Sequence, residues 1–222
     1  MAEFRPKYIS FDCYGTLIDF QIHVLTRTLL TTAMDAAQMQ PFLSDFSAYR
    51  FDEALGNWQP YADLIKNALR RTCQRWGLPN QDAVAQQLYA AVPTWGPHAD
   101  VPAGLAALAT EFPLVILSNA ADSQLHHNVA KLGAPFHAVY SAEQAQAYKP
   151  RLRAFEYMFD SLGCAPADLL HVSSSLRYDI MSAYDMRIRH CAYIERGHGP
   201  STGYYGYPTL KSIGELPALV GL

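Results

Sequence analysis

Short apolar runs that each stop at small or polar residues recur along the chain, and they predict buried strands. The runs cover residues 7–11, 113–117, 169–172 and 190–194, with a weaker candidate at 138–141. Between them, amphipathic stretches at 123–132, 153–162 and 179–186 favour helices, and the first two are followed by Gly133 and Gly163. This alternation of strands and helices predicts an α/β fold built on a parallel sheet.

A different pattern fills the segment between the first two predicted strands. Residues 23–91 follow a helical period almost throughout, with one apolar stripe at Leu25, Leu29 and Leu30 and another from Leu64 to Cys73. Prolines at positions 41, 60, 79 and 93 mark the expected breaks. The segment is too long for a crossover connection and too helical for a loop. We therefore expect a helical cap domain at residues 20–96, inserted into a core formed by residues 1–19 and 97–222.

Polar residues follow the ends of several predicted strands. Asp12, Ser118, Lys149 and the loop at 173–179 all belong to the carboxyl edge of the sheet, where open α/β sheets bind ligands. Each has an ordinary explanation when taken alone. A short acid such as Asp12 caps turns, a loop lysine is usually solvated, and an acid in a first helical turn is favoured by the macrodipole. Their convergence on one edge is what indicates a functional site.

Composition narrows the classes of function. Of the 222 residues, 50% are apolar and 17% are charged, with a formal net charge of −3, which excludes intrinsic disorder and disfavours nucleic acid or an anionic membrane as partner. No apolar run reaches the roughly 18 residues of a membrane span. The four cysteines are scattered without a CxxC pair, so we expect free thiols, no zinc site and a reducing, cytoplasmic location. The stretch 197–208 holds four Gly and three Tyr, and irregular structure is expected there.

Four short motifs occur in a specific order. They are Asp12-x-x-Gly15-Thr16 after the first strand, Ser118-Asn119 after the second, Lys149-Pro150, and Ser173 followed by Asp179. From about residue 8 to residue 196 the chain thereby resembles the haloacid dehalogenase superfamily, and the stretches 11–19 and 147–150 are the most specific parts of the match. The resemblance implies a Rossmann-like, doubly wound parallel sheet with an inserted helical cap.

One position favours a particular branch of the superfamily. Its phosphatases and phosphomutases carry a second aspartate two positions after the nucleophile, where it protonates the leaving oxygen and helps to hold Mg²⁺. Here that position is Tyr14, whose phenol, with a pKa of about 10, is a poor general acid. A halide leaves without a proton, and Asp-x-Tyr-Gly-Thr-Leu is similar to the form seen in L-2-haloacid dehalogenases.

The resemblance implies a role for each matching residue, with no metal and no cofactor. Asp12 would be the nucleophile that forms an ester, Lys149 would keep it ionised and oriented, and Asp179 would activate water. Thr16 and Ser173 would position the carboxylates. Ser118 would bind the substrate carboxylate, Asn119 would face the halide, and Arg50 of the cap would bind it. Tyr14, Ser175 and Tyr178 complete the expected substrate-binding set.

The chain departs from the dehalogenase pattern in two places. A tyrosine that the family carries a few residues after Lys-Pro aligns here with Phe155, and Tyr157, two positions on, would lie on a different side of a helix. The loop from Ser173 to Asp179 is one residue longer than expected, lacks the usual asparagine, and carries Arg177 as an extra charge.

We therefore expect an (S)-2-haloacid dehalogenase-like hydrolase that acts on short 2-haloacids and gives 2-hydroxy acids with inversion. The departures leave open the hydrolysis of another small α-substituted acid, such as ring opening of azetidine-2-carboxylate. A phosphatase and a non-catalytic homologue that binds a small acid are further alternatives. The expected partner is a small molecule, not nucleic acid or membrane, and the resemblance leaves a homodimer as a possible assembly.

Overall fold

The computed structural model describes residues 4–197, 199 and 203–222, and it contains a six-stranded parallel sheet. The strands are β1 (Tyr8–Phe11), β2 (Leu114–Ser118), β3 (Ala138–Ser141), β4 (Leu169–Ser173), β5 (His190–Ile194) and β6 (Thr209–Leu210). Their order is β3-β2-β1-β4-β5-β6, which is that of a doubly wound Rossmann-like sheet. The apolar pattern predicts the first five strands and misses β6, because two residues are too few to give a pattern.

Helices connect the strands and fill the segment after β1. They are α1 (Ile22–Leu29), α2 (Ala36–Leu55), α3 (Tyr61–Arg75), α4 (Asp82–Ala91), α5 (Val101–Ala109), α6 (Asp122–Val129), α7 (Ala142–Ala145), α8 (Leu152–Leu162), α9 (Met181–Asp185) and α10 (Leu216–Leu219). Because β1 pairs with both β2 and β4, the winding reverses beside β1. The loops after these strands therefore flank the crevice in which such sheets bind ligands.

The sheet core is formed by alternate strand residues that pack against α8 and α9. Phe155 and Met158 of α8 are fully buried, as the amphipathic pattern predicts, and they join Val115 and Leu117 of β2 in one apolar cluster. Strands β2 and β4 are buried along their whole length. The sheet is thereby rigid under the loops that carry the polar residues.

The chain divides into two compact units, Met1–Asp19 with Gly96–Leu222 and Phe20–Trp95. The second unit contains α1 to α4. As predicted, the stripe of α3 is buried from Leu64 to Cys73, while α1 buries Ile22 and Thr26 and leaves Leu25 half-buried. The expected break at Pro41 is wrong, because this proline lies inside α2. Its ring sits in the second turn, where the missing N–H removes a single helical hydrogen bond.

Part of the stretch 197–208, expected to be irregular, lies outside the described residues, namely 198 and 200–202. Its described remainder contains a single 3₁₀ turn at Gly203–Tyr205. Within the described residues, no helix combines the length and the apolar character needed to cross a membrane.

Candidate active site

Three charged side chains meet at the carboxyl edge of the sheet. The Lys149 ammonium donates to Asp12 Oδ1 at 2.8 Å, to Asp179 Oδ1 at 2.6 Å and to the carbonyl oxygen of Leu117 at 2.8 Å. These bonds use all three protons of the ammonium group. Lys149 is 1% exposed and Asp179 is fully buried, so both charges depend on one another for solvation.

The pKa values of the two carboxyl groups shift in opposite directions. Burial raises the pKa of Asp12, and the negative charge of Asp179 adds to the rise, although Lys149 opposes both. Burial would also raise the pKa of Asp179, but Lys149 and a hydrogen bond from His171 outweigh it and hold that pKa below its usual value. Burial lowers the pKa of Lys149 and the two carboxylates raise it, and the net effect is a rise. The ammonium therefore stays charged, and Asp179 is the more acidic of the two acids.

The loop after β1 holds Asp12 from its other side. Thr16 Oγ1 donates to Asp12 Oδ2 at 2.6 Å, and Gly15 adopts a φ of 96°, which side-chain-bearing residues rarely take. Ser174 donates its N–H to Thr16 Oγ1 at 2.8 Å, and its hydroxyl lies 3.1 Å from the same oxygen. Since the single proton of Thr16 goes to Asp12, the Ser174 hydroxyl is the donor in that contact.

The serines of the loop after β4 have contacts that the sequence did not indicate. Ser173, expected to position the carboxylates, accepts a hydrogen bond from the Ser175 N–H at 3.0 Å, and Ser174 contacts Thr16 in its place. Ser175, expected to bind substrate, accepts from the Tyr178 N–H at 3.1 Å and caps the turn that follows. Neighbouring residues in a loop do not alternate as in a strand, so their spacing does not indicate which of the three serines contacts Thr16.

The loop that we expect to be one residue longer contains a π-helical turn at Leu176–Ile180. The Ile180 N–H bonds to the carbonyl of Ser175, five residues earlier, at 3.1 Å. A π-turn takes up one residue more than an α-turn, so the chain still brings Asp179 to Lys149. Arg177 is exposed and Tyr178 is half-buried.

The expected substrate-binding residues of the sheet edge divide into two groups. The Ser118 hydroxyl is buried without a hydrogen-bond partner among the described residues. Asn119 instead fixes the Lys149 backbone, because its Oδ1 accepts from the Lys149 N–H at 2.7 Å and its Nδ2 donates to the Lys149 carbonyl at 2.8 Å. The Tyr14 hydroxyl donates to Asn128 Oδ1 of α6 at 2.7 Å.

Arg50 belongs to the Phe20–Trp95 unit, and the following contacts lie within that unit. Its guanidinium carbon lies 5.4 Å from the Phe20 ring centroid and 5.2 Å from that of Phe46, and Nη2 donates to Ser47 Oγ at 3.2 Å. Its buried Nε has no hydrogen-bond partner, and no carboxylate within the described residues forms an ion pair with it. The guanidinium charge is thus held by aromatic faces and is not neutralised by an acid.

Sequence reasoning missed several residues that support the site. Arg196, after β5, forms a bidentate ion pair with Asp100 at 2.9 Å and donates to the carbonyl oxygen of Thr16 at 3.2 Å. His171 and Ser10, inside the sheet, form a hydrogen-bonded chain that ends on Asp179. The available signal for His171 and Ser10 was polarity at alternate positions of otherwise apolar strands, two residues before Ser173 and Asp12.

The donor set at this edge fits Mg²⁺ poorly. The ion prefers about six oxygen ligands, several of them from carboxylates or water. Here Tyr14 and Ser174 supply a phenol and a hydroxyl, and the Lys149 ammonium is bonded to both Asp12 and Asp179. No group of three His, Cys, Asp or Glu side chains suited to a metal ion occurs among the residues that the structure describes.

Comparisons with known proteins agree on one family. A family model described as haloacid dehalogenase-like hydrolase matches residues 6–185. An (S)-2-haloacid dehalogenase of Pseudomonas putida is 27% identical over 214 residues, covering 94% of this chain and 93% of the relative. Haloacetate dehalogenase H-2 of Moraxella sp. (strain B) is 27% identical over 236 residues, covering 97% of this chain and 99% of that protein.

The fold is also that of a solved dehalogenase. An L-2-haloacid dehalogenase from Xanthobacter autotrophicus, with chloropropionic acid covalently bound, superposes with a TM-score of 0.74 at 24% identity. The match covers 97% of this chain and 98% of that one. At this identity the likeness establishes the fold alone.

Proposed function

Because the chain belongs to the haloacid dehalogenase-like hydrolases, we propose that it cleaves the carbon–halogen bond of short 2-haloalkanoic acids through an aspartyl ester. The products are the 2-hydroxy acid, with inverted configuration, and halide. The observation that carries this proposal is the Asp12–Lys149–Asp179 arrangement, in which one ammonium holds two buried carboxylates side by side. The covalently bound chloropropionic acid of the solved relative supports the same chemistry.

The first step is a nucleophilic substitution by Asp12. A carboxylate oxygen attacks the Cα atom of the substrate from the side opposite the halogen, so a C–O bond forms while the halide leaves with the electron pair of the C–halogen bond. Lys149 and Thr16 each donate to one oxygen of Asp12 and fix the direction in which the carboxylate points. The halide needs no proton, which is consistent with Tyr14 in place of an acid.

The second step is hydrolysis of the ester. Asp179 takes a proton from water through its Oδ2 atom, which is buried and has no hydrogen-bond partner among the described residues. The hydroxide attacks the carbonyl carbon of the Asp12 ester, and the bond from that carbon to the substrate oxygen breaks. The proton on Asp179 goes to the departing alkoxide, and the second proton of the water, now on the Asp12 carboxyl group, is released to solvent. Overall, one water is consumed, and one halide and one proton are released for each 2-hydroxy acid formed.

Ser118 is proposed to donate its hydroxyl proton to the substrate carboxylate. Its support is the buried hydroxyl that no described residue bonds, at the end of the strand beside β1. Asn119 retains one Nδ2 proton beyond its bond to the Lys149 carbonyl, and this proton is proposed to contact the halide. Tyr14 and Tyr178 are proposed as apolar walls with polar tips around the short side chain of the substrate.

We assign the Phe20–Trp95 unit the role of cap and Arg50 that of halide-binding cation. The support for Arg50 is an uncompensated guanidinium charge of the kind that stabilises a developing anion. Replacing it (Arg50→Gln) is expected to slow a 2-chloro acid more than the matching 2-iodo acid, because chloride is the poorer leaving group. Arg71→Gln in the same unit, whose charge is already paired with Asp52 and Glu53, is the control. Equal losses for both halogens would contradict the assignment.

Isotope labelling tests the ester mechanism. A single turnover of (S)-2-chloropropionate in H₂¹⁸O should place ¹⁸O on the Asp12 side chain, detected by mass spectrometry of its peptide, and leave the first lactate unlabelled. Label in the lactate with none on Asp12, in an active enzyme, would contradict the proposal. Measuring halide and amine release separates dehalogenation from C–N ring opening. Turnover of a phosphate ester only with Mg²⁺ would indicate a phosphatase. Unchanged function in Asp12→Asn would indicate a non-catalytic binding protein.

A further inference from the structure

Two buried polar residues inside the sheet take no part in the steps above. Ser10 of β1 and His171 of β4 are register partners in neighbouring strands, and both are fully buried. Each precedes a site residue by two positions on the same sheet face, Asp12 and Ser173 respectively. A buried imidazole is costly unless its nitrogens are hydrogen-bonded, and an aliphatic residue would fill such a core position at no cost of this kind. The presence of His171 therefore calls for a reason.

Both nitrogens of His171 have a partner. Nε2 lies 3.1 Å from Asp179 Oδ1, and Nδ1 lies 2.7 Å from Ser10 Oγ. An ionised carboxylate only accepts hydrogen bonds, so Nε2 carries a proton and donates it to Asp179 Oδ1, while Nδ1 shares the second hydrogen bond with the Ser10 hydroxyl. The Phe155 ring contacts the imidazole edge to face at 5.4 Å between centroids. Serine and phenylalanine together hold the plane of the ring.

These contacts make the two oxygens of Asp179 unequal. Oδ1 accepts from both Lys149 and His171, whereas Oδ2 is buried with no hydrogen-bond partner among the described residues. Rotating the carboxylate away from this orientation would weaken both bonds at once. Lys149 alone would not define the orientation in this way, because it also bonds to Asp12.

We propose that His171, fixed by Ser10, is a positioning residue that directs Asp179 Oδ2 toward the water that hydrolyses the aspartyl ester. The inference rests on the proposed function, and it assigns His171 to the second chemical step only. Among the described residues, His171 bonds to Asp179 and Ser10 and forms no hydrogen bond with Asp12 or Thr16, so the attack that releases halide proceeds without it.

Two amide variants of the full-length protein test this assignment. His171→Gln places an amide N–H near the position of Nε2, whereas His171→Asn places the same group near that of Nδ1, too short to reach Asp179. With (S)-2-chloropropionate under rapid mixing, both variants should give a full burst of one halide per site at the wild-type rate. Steady-state turnover should fall about 10- to 100-fold in His171→Asn, as for the loss of an orienting hydrogen bond, and much less in His171→Gln.

Thermal unfolding checks that each variant folds. If His171→Asn does not fold, Ser10→Ala replaces it, and we expect a smaller loss of steady-state turnover in that variant. The role of His171 would be overturned, with dehalogenation left intact, if His171→Gln and His171→Asn had equal turnover or if the burst slowed as much as turnover. Unchanged turnover in Ser10→Ala, where that variant is used, would overturn it as well. If the wild type releases no halide from any haloacid, the proposed function and this inference both fail.

Discussion

The Ser118 hydroxyl and the Asp179 Oδ2 atom are buried polar atoms to which the described chain offers no hydrogen bond. Leaving such an atom unbonded costs about 1–3 kcal/mol, so it is unfavourable for folding. Both atoms lie at the carboxyl edge of the sheet, where a substrate carboxylate and a water would supply the missing bonds. At the scale of single residues, we therefore expect the Ser118 hydroxyl to contribute little to the stability of the fold and more to the proposed binding of substrate.

Ser118→Ala separates these two effects. We expect the free energy of unfolding to stay unchanged or rise slightly, because an unbonded hydroxyl is removed. We expect KM for a 2-haloacid to rise about 10- to 100-fold, the value of a hydrogen bond to a charged group. Urea unfolding and halide-release kinetics measure the two quantities. Ser174→Ala is the matched control, since its hydroxyl bonds Thr16 and its loss should cost about 1 kcal/mol of stability. A destabilised Ser118→Ala with normal KM would contradict this interpretation.

Elements far apart in the sequence hold the loop after β1 in place. Arg196, at the end of β5, joins the carbonyl of Thr16 to Asp100, which also accepts from the Ile213 N–H at 2.7 Å. The 3₁₀ turn at Ile213–Glu215 packs in turn against α5, where Gly104 faces Ile213. A Cβ atom on Gly104 would lie 2.8 Å from Ile213 Cγ2 and 2.9 Å from its carbonyl carbon, so close packing of these elements requires glycine.

Gly104→Ala tests this packing at the scale of elements. The methyl group must displace the backbone of a fully buried residue, and we expect a loss of about 1–3 kcal/mol in the free energy of unfolding, as for other overpacked sites. Gly96→Ala, where a Cβ meets no atom within 4 Å, should change it by no more than about 0.5 kcal/mol. Chemical denaturation of both variants provides the measurement. Equal stabilities would show that the turn shifts away from α5 at little cost.

For the molecule as a whole, the net charge of −3 is an average that hides a buried charge cluster. Lys149 is the single cation bonded to Asp12 and Asp179 among the described residues, and each of the three groups is at least nine-tenths buried. Removing one member of such a cluster leaves charge without solvation or a partner. The stability of the fold thus depends on the same lysine as the proposed chemistry.

Lys149→Met should reduce the free energy of unfolding by about 3–5 kcal/mol at neutral pH. Lys149 lowers the pKa of both carboxyl groups, so in the variant the pKa of Asp12, already raised by burial, rises further above that of the unfolded chain, and the pKa of Asp179 rises as well. A raised pKa penalises the folded state as pH rises through it, and the loss should shrink as the medium is made acidic. Urea unfolding at several pH values measures this dependence. Lys7→Met, which breaks an exposed pair with Asp168, should cost at most about 1 kcal/mol, and a similar pH dependence there would contradict the explanation.

The family, the α/β class and five of the six strands could be predicted from the sequence alone. So could the edge of the sheet that carries Asp12, Ser118, Lys149 and Asp179. These features depend on local properties: period-two and period-3.6 patterns, and polar residues directly after apolar runs. Motif order added Tyr14, and with it the dehalogenase-like interpretation. Such signals lie within a few residues of one another, so they can be read from the chain alone.

Which atoms meet depends on the folded chain. The Ser174 N–H bonds to Thr16, a π-turn forms at Leu176–Ile180, Asn119 is tied to the Lys149 backbone, and Ser10 bonds to His171, 161 positions apart. Ser118 Oγ and Asp179 Oδ2 are left unbonded among the described residues. These outcomes follow from strand register, from the direction of a loop and from the number of protons each donor holds, and the sequence constrains those only after the sheet has formed.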